Sequence, residues 1–126
     1  MDSVQKNILI VEDDDLIAQM YLASLTHSSF HVELQKDGMA GWETMQKYVP
    51  DLVILDFMMP KLNGLEVLSK MRTDARLKNV PVVMMSSLMA DVDKQRAMEA
   101  GATAYWVKKE VNMSDFENRI NGVLSK

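Results

Sequence analysis

The segment NILIVEDDD, residues 7–15, contains the two features that decide the fold and the site. Ile8 to Val11 form a short, apolar, β-branched run, which is typical of a buried β-strand. Four adjacent carboxylates, residues 12–15, follow at once. Neighbouring carboxylates make one another harder to ionise, because their negative charges repel. We therefore expect solvent, a helix N-terminus or a bound cation to offset this repulsion. Asp14 and Asp15 suit the start of a helix, where negative charge is favourable.

Strand patterns and helix patterns alternate along the rest of the chain. Further strands are predicted at HVELQ (31–35), DLVILD (51–56), VPVVMMSS (80–87) and AYWV (104–107). The first helix is predicted over residues 14–26, with its apolar face formed by Leu16, Ile17, Met20 and Ala23. The last helix is predicted to begin at a capping box, in which Ser114 is the N-cap and Glu117 lies three residues further on.

Five strands alternating with five helices predict an α/β fold with a parallel sheet covered on both faces. Five units are too few for an eight-stranded barrel. We therefore expect a flavodoxin-like, doubly wound sheet with strand order 2-1-3-4-5. The 126 residues predict a single domain over residues 1–126, with its core in about residues 5–125.

In this topology the chain reverses its winding between strands 1 and 3, and ligands bind beyond the carboxyl ends of the strands there. Glu12, Asp13 and Asp56 end those two strands, Ser86 ends the fourth and Lys108 ends the fifth. Carboxylate oxygens in an open, hydrated site suit Mg²⁺. A metal beside a carboxylate, a hydroxyl and a lysine indicates phosphoryl chemistry. The sequence has neither of the glycine-rich nucleotide-binding motifs.

Composition excludes several classes of function. There is no cysteine, so disulfides and thiolate chemistry are excluded. A net charge of −4 argues against direct binding of this chain to nucleic acid. The N-terminal segment is not of signal-peptide type, and no apolar run is long enough to cross a membrane. We therefore expect a cytoplasmic protein that does not enter the membrane.

Four segments together resemble the receiver domain of bacterial two-component response regulators. They are ILIVEDDD, PDLVILDFMMPKLNG, VPVVMMSS and EAGATAYWVKK, in the order and with the spacing of that family. The resemblance covers nearly all of residues 5–125. It implies a signalling domain that accepts a phosphoryl group, not an enzyme acting on a separate substrate.

The resemblance also implies roles for individual residues. Asp56 matches the phosphoacceptor, Asp13 a direct Mg²⁺ ligand, and Glu12 a ligand acting mainly through water. Met58 matches the position whose backbone carbonyl completes the metal ligands. Mg²⁺ is the one cofactor implied.

The remaining roles concern the response to phosphorylation. Ser86 matches the hydroxyl that binds the phosphoryl group, Lys108 the lysine that pairs with it, and Tyr105 the aromatic switch residue. Lys109 stands where the family usually has proline, often after a cis bond. Here the Lys108–Lys109 bond is either trans with a different loop, or cis at a cost of about 2.5–4 kcal/mol.

The implied partners are a histidine kinase or phosphotransfer protein, and a downstream protein target or fused output domain. The implied output surface is the fourth helix, fifth strand and fifth helix, through which a homodimer is possible. The alternative hypothesis is a degenerate receiver that acts as a phosphorylation-independent scaffold. An aspartate-nucleophile hydrolase is a third hypothesis. It is disfavoured because that class typically has a second Asp two residues after its nucleophile, where this chain has Met58.

Overall fold

The computed structural model describes residues 5–59 and 61–125. The strands are β1 (Asn7–Val11), β2 (His31–Gln35), β3 (Leu52–Asp56), β4 (Val82–Ser86) and β5 (Ala104–Val107). The helices are α1 (Asp15–Ser24), α2 (Gly38–Lys47), α3 (Gly64–Arg72), α4 (Asp91–Glu99) and α5 (Phe116–Leu124). Short 3-10 helices span Lys108–Glu110 and Met113–Asp115. No helix among the described residues is long and apolar enough to span a bilayer.

The five strands form one parallel sheet in the order β2-β1-β3-β4-β5, which confirms the predicted topology. Each central strand is almost fully buried because helices cover both of its faces. In the register of β1 with β3, Val11 lies opposite Leu55. The residues that follow this pair, Glu12 and Asp56, therefore emerge side by side at the same edge.

Successive side chains of each strand enter two separate cores, since they point to opposite faces of the sheet. Leu9, Val11, Val53 and Leu55 pack under α2, α3 and α4. Their neighbours Ile8, Ile10, Leu52 and Ile54 pack under α1 and α5.

The predicted apolar face of α1 is correct only at Ile17, which packs against the core. Leu16 and Met20 are exposed, with 74% and 49% of their surface accessible. The helix instead packs through Ala18 and Tyr21, and Leu25 follows just beyond its end. The helix has apolar side chains on two sides, so periodicity alone did not identify the side that meets the sheet.

Asp14 is the N-cap and accepts a hydrogen bond from the Ile17 amide at 3.0 Å, so the predicted role of Asp14 at the helix start is confirmed.

The predicted capping box of α5 is also wrong. Ser114 lies inside the 3-10 helix Met113–Asp115, and α5 begins two residues later at Phe116. The Asn112 side chain accepts hydrogen bonds from both the amide and the hydroxyl of Ser114. A capping box does occur at α3, between Asn63 and Glu66.

At the end of α4, Gly101 has φ +107, which explains why glycine is placed there. Pro60, within the segment PDLVILDFMMPKLNG, lies outside the described residues.

Candidate phosphoacceptor and metal site

Three carboxylates meet at the carboxyl edge of the sheet, between β1 and β3. Ligand oxygens of Glu12, Asp13 and Asp56 all lie within 4.8 Å of one another. Glu12 and Asp56 are buried, whereas Asp13 is exposed. An octahedral Mg²⁺ ion holds its ligands at about 2.1 Å, so its ligand oxygens are roughly 3–4 Å apart. The spacing and the chemistry of these oxygens therefore fit a small divalent cation with water as its remaining ligands.

Lys108 reaches into the same cluster from the end of β5. Its Nζ lies 2.9 Å from Glu12 Oε1 and 3.3 Å from Asp56 Oδ1. The second oxygen of Glu12 accepts a hydrogen bond from the Asp14 amide at 3.1 Å. Both oxygens of this buried carboxylate are thus bound, one by an amide and one by an ammonium.

The absence of proline after Lys108 does not displace this lysine. No peptide bond in the described ranges is cis, and the Lys108–Lys109 bond among them is trans. Lys108 begins the 3-10 helix Lys108–Glu110, and its side chain points to the carboxylates. Lys109 is exposed. Of the two alternatives for the Lys108–Lys109 bond, the structure therefore has the trans bond.

Burial and crowding change the acidity of the site. Burial, and then the charge of Glu12, raise the pKa of Asp56 to about 8, although the nearby Lys108 charge opposes this. Burial lowers the pKa of Lys108, but the hydrogen bond to Glu12 and the charge of Asp56 outweigh it and raise this pKa overall. Near neutral pH the ammonium is therefore charged, while Asp56 needs additional positive charge nearby to ionise fully.

Ser86 and Tyr105 are connected to each other through one residue, Leu88. Ser86 is fully buried, and its Oγ accepts a hydrogen bond from the Leu88 amide at 2.9 Å. The Tyr105 hydroxyl donates to the Leu88 carbonyl at 2.8 Å. The Tyr105 ring packs edge-on against Phe57, which directly follows Asp56. Both hydroxyls thus bind the loop after β4, and neither is hydrogen-bonded to the carboxylates.

Met58 completes the predicted set. Its amide donates to Asp56 Oδ1 at 3.3 Å, which places its backbone beside the acidic cluster. Met58 is 60% exposed.

Sequence reasoning missed one residue at this site, Tyr21. Its side chain is buried, and burial, followed by the charges of Glu12 and Asp56, raises its pKa. Tyr21 was not predicted to face the core, because the predicted apolar face of α1 did not include it.

Comparison with known proteins agrees with this fold. The family model described as the response regulator receiver domain matches residues 8–121. This chain therefore belongs to the response regulator receiver domain family. Response regulators of this family act in two-component signalling.

The relatives differ from this chain in length. Response regulator ArlR of Staphylococcus haemolyticus is 32% identical over 120 residues, which are 95% of this chain but 53% of that protein. This chain thus spans about half the length of that relative.

Among solved structures, the chemotaxis response regulator CheY4 of Vibrio cholerae has a TM-score of 0.87 at 28% identity. That match covers 95% of this chain and 99% of the CheY4 chain. The Mn²⁺-bound form of response regulator Rcp1 has a TM-score of 0.80 at 27% identity. It covers 95% of this chain and 92% of the Rcp1 chain.

Proposed function

We propose that this receiver domain accepts a phosphoryl group on Asp56 with the help of Mg²⁺, and that phosphorylation changes the surface formed by α4, β5 and α5. One observation carries the proposal. Glu12, Asp13 and Asp56 converge at the edge of the sheet with the Lys108 ammonium between two of them. A nucleophilic carboxylate, oxygen ligands for a cation and a fixed positive charge are the groups that phosphoryl transfer needs.

The phosphoryl donor is a phosphohistidine on a histidine kinase or phosphotransfer protein. An Asp56 oxygen attacks phosphorus, the new O–P bond forms, and the N–P bond breaks with the electron pair returning to the imidazole. Asp13, Asp56 and the Met58 carbonyl would hold Mg²⁺ directly, and Glu12 would hold it through water. The ion supplies positive charge that favours the ionised form of Asp56 and stabilises the transferring group.

Lys108 and Ser86 respond to the new phosphoryl group. Lys108 already contacts Asp56, so its ammonium needs only a small displacement to pair with a phosphoryl oxygen. The Ser86 hydroxyl is free to donate, since its present bond to the Leu88 amide uses it as an acceptor. A move of Ser86 towards the phosphoryl group would release the Leu88 amide.

Tyr105 would transmit that change. Because its hydroxyl holds the Leu88 carbonyl, a shift of this loop alters the anchor of Tyr105 on β5. The loop leads directly into α4, whose Val92 and Met98 are exposed. The surface of α4, β5 and α5 is thus where a downstream target, a fused output domain or a second receiver would detect the phosphorylated state. We do not expect this chain itself to bind nucleic acid.

A matched pair of variants in the acidic run tests the proposal. Asp13 belongs to the carboxylate cluster, whereas Asp15, two residues later, is exposed and pairs with Lys36. After incubation with acetyl phosphate and Mg²⁺, intact-mass spectrometry should show one phosphoryl group on wild-type protein and on Asp15→Asn. We expect Asp13→Asn to react at least about ten-fold more slowly at the same Mg²⁺ concentration, since it loses a direct metal ligand. Equal rates for the two variants would contradict the metal site.

The alternative hypothesis of a degenerate scaffold gains no support from this site. The acidic pair, the acceptor carboxylate and the lysine are all present, and they converge. The hydrolase hypothesis also lacks support, because Met58 stands where that class places its acid.

A further inference from the structure

The first turn of α2 packs directly against the β3–α3 loop, residues 57–63. Gly38, the first residue of α2, is buried, and a Cβ atom built on it would overlap the Leu62 carbonyl oxygen. Among the glycines of the described residues, only Gly101 has a positive φ. Glycine at position 38 therefore provides space for the loop, and not an unusual backbone conformation.

A pair of charged side chains joins the same two segments. Lys61 Nζ lies 3.6 Å from Asp37 Oδ2. Asp37 is also the N-cap of α2, because its side chain accepts a hydrogen bond from the Ala40 amide at 2.8 Å. Lys61 has φ 66, a conformation that residues with a side chain seldom adopt. A single ion pair near the surface is weak, but this one adds to the close contact between Gly38 and Leu62.

The loop that is held in this way carries Met58, whose carbonyl is a proposed ligand of Mg²⁺. The two ends of the loop are joined, because the Gly64 amide donates to the Phe57 carbonyl at 3.2 Å. Six residues lie between Phe57 and Gly64. Each residue offers only two soft backbone dihedrals. In so short a closed loop, a displacement at Leu62 therefore changes the backbone at Met58 as well.

The segment that leads into α2 also contacts the other half of the acidic cluster. The Glu12 amide donates to the Gln35 carbonyl at 3.0 Å. Residues 35–38 thus touch the end of β1 on one side and the β3–α3 loop on the other. One short segment therefore connects the two parts of the chain that form the proposed metal site.

We propose that Gly38 and Asp37 are positioning residues, which hold the β3–α3 loop so that the Met58 carbonyl can bind Mg²⁺. This inference rests on the proposed function of the site. Neither residue would touch the ion or the phosphoryl group, because both act through the backbone of the loop. Their loss should therefore weaken Mg²⁺ binding and leave the rate of phosphoryl transfer at saturating Mg²⁺ nearly unchanged.

The first test compares Gly38→Ala with Gly122→Ala. Gly122 is the control, because a Cβ atom there would have none of the described atoms outside its own helix within 4 Å. Titration of folded protein with Mg²⁺ should show about five- to ten-fold weaker binding in Gly38→Ala and wild-type affinity in Gly122→Ala. At saturating Mg²⁺, Gly38→Ala should react with acetyl phosphate within about two-fold of the wild-type rate, since only binding of the ion is impaired.

The second test separates positioning from a simple effect of charge. Removing a cation near a Mg²⁺ site strengthens Mg²⁺ binding if charge alone acts. Lys61→Met should instead weaken Mg²⁺ binding by about two-fold, because it breaks the pair with Asp37. Lys36→Met is the matched control and should not weaken it. It breaks the pair of Lys36 with Asp15, and both lysine side chains are 69% exposed.

Wild-type Mg²⁺ affinity in folded Gly38→Ala would overturn the inference. So would a slower reaction at saturating Mg²⁺ with unchanged affinity, or an equal loss of affinity in Gly122→Ala. Unchanged or tighter binding in Lys61→Met would overturn the role of Asp37, and it overturns the whole inference if Gly38→Ala does not fold. If wild-type protein itself binds no Mg²⁺, the proposed function fails, and this inference fails with it.

Discussion

The Asp56→Asn variant is expected to be more stable than wild-type protein at pH 8 in the absence of divalent cations. Replacing the carboxylate by a neutral amide of the same shape removes a buried charge that Glu12 and Asp13 crowd. Lys108 and local relaxation offset part of the cost of that charge. We therefore expect a gain of about 2 kcal/mol, which corresponds to a rise in melting temperature of roughly 5–10 °C for a domain of this size.

The pH dependence of this gain follows from the pKa of Asp56. In the unfolded chain this carboxyl ionises near its ordinary pKa of 3.8, whereas in the folded protein it ionises near 8. Between these values the folded state binds more protons than the unfolded state. The free energy of unfolding of wild-type protein should therefore fall as pH rises from about 4 to 8.

Thermal melts of wild type and Asp56→Asn between pH 5 and 8.5, with a chelator present, measure this effect. The difference in melting temperature should shrink towards pH 5, where Asp56 is protonated in the folded protein for most of the time. Asp15→Asn, which changes an exposed carboxylate of the same run, is the control and should follow wild type. A constant difference across this pH range would show that Asp56 does not carry a raised pKa.

The Lys108→Met variant is expected to have the opposite effect on stability. It keeps an unbranched side chain of similar length but leaves buried Glu12 and Asp56 without their cation. Removing one partner of a buried ion pair typically costs about 3–5 kcal/mol. Because Asp56 can take up a proton when the ammonium is removed, we expect the free energy of unfolding to fall by about 3 kcal/mol at pH 8.

The contribution of Lys108 to stability also depends on pH. The raised pKa of Lys108 means that its charge stabilises the fold at every pH below its ordinary value of 10.5. At pH 8 this contribution is fully present in wild type and absent from the variant. At pH 5 the loss should be smaller, since protonated Asp56 no longer needs the ammonium.

Urea unfolding at both pH values measures the effect, and Lys109→Met is the matched control. Lys109 is the neighbouring lysine, exposed to solvent, and should tolerate the change within about 0.5 kcal/mol. Lys108→Met should also accept phosphoryl groups from acetyl phosphate about 100-fold more slowly, as expected when a charge-stabilising donor is removed. Equal behaviour of the two variants would mean that Lys108 is not the lysine of the site.

Prediction from the sequence was correct for the strands that are fully buried. It was wrong for most of the apolar face of the helix α1, which is only partly buried. β1, β3 and β4 are each apolar except for one polar residue at an end, and helices cover both of their faces, so pattern and burial agree. The helix α1 is different, because it carries apolar residues on two sides. Which side meets the sheet depends on how the chain leaves β1, and periodicity does not contain that information.

The candidate site was predictable in position but not in contacts. Parallel strands in the order 2-1-3-4-5 bring Asp13 and Asp56 together whatever their rotamers. The Lys108 ammonium pairs with both Glu12 and Asp56, and this depends on side-chain conformation and on the turn at Lys109, where the family usually has proline. The same is true of Tyr21, whose position depends on the packing of α1 against α5.

The position of the phosphoryl group is the most direct test of this account. Protein treated with acetyl phosphate and Mg²⁺ would be reduced with borohydride, which converts an aspartyl phosphate to homoserine, and then digested and analysed by tandem mass spectrometry. We expect homoserine at position 56, and only when both Mg²⁺ and acetyl phosphate are present. Homoserine at Asp13 or elsewhere, or none at all in folded protein, would contradict the assignment of Asp56 as the phosphoacceptor.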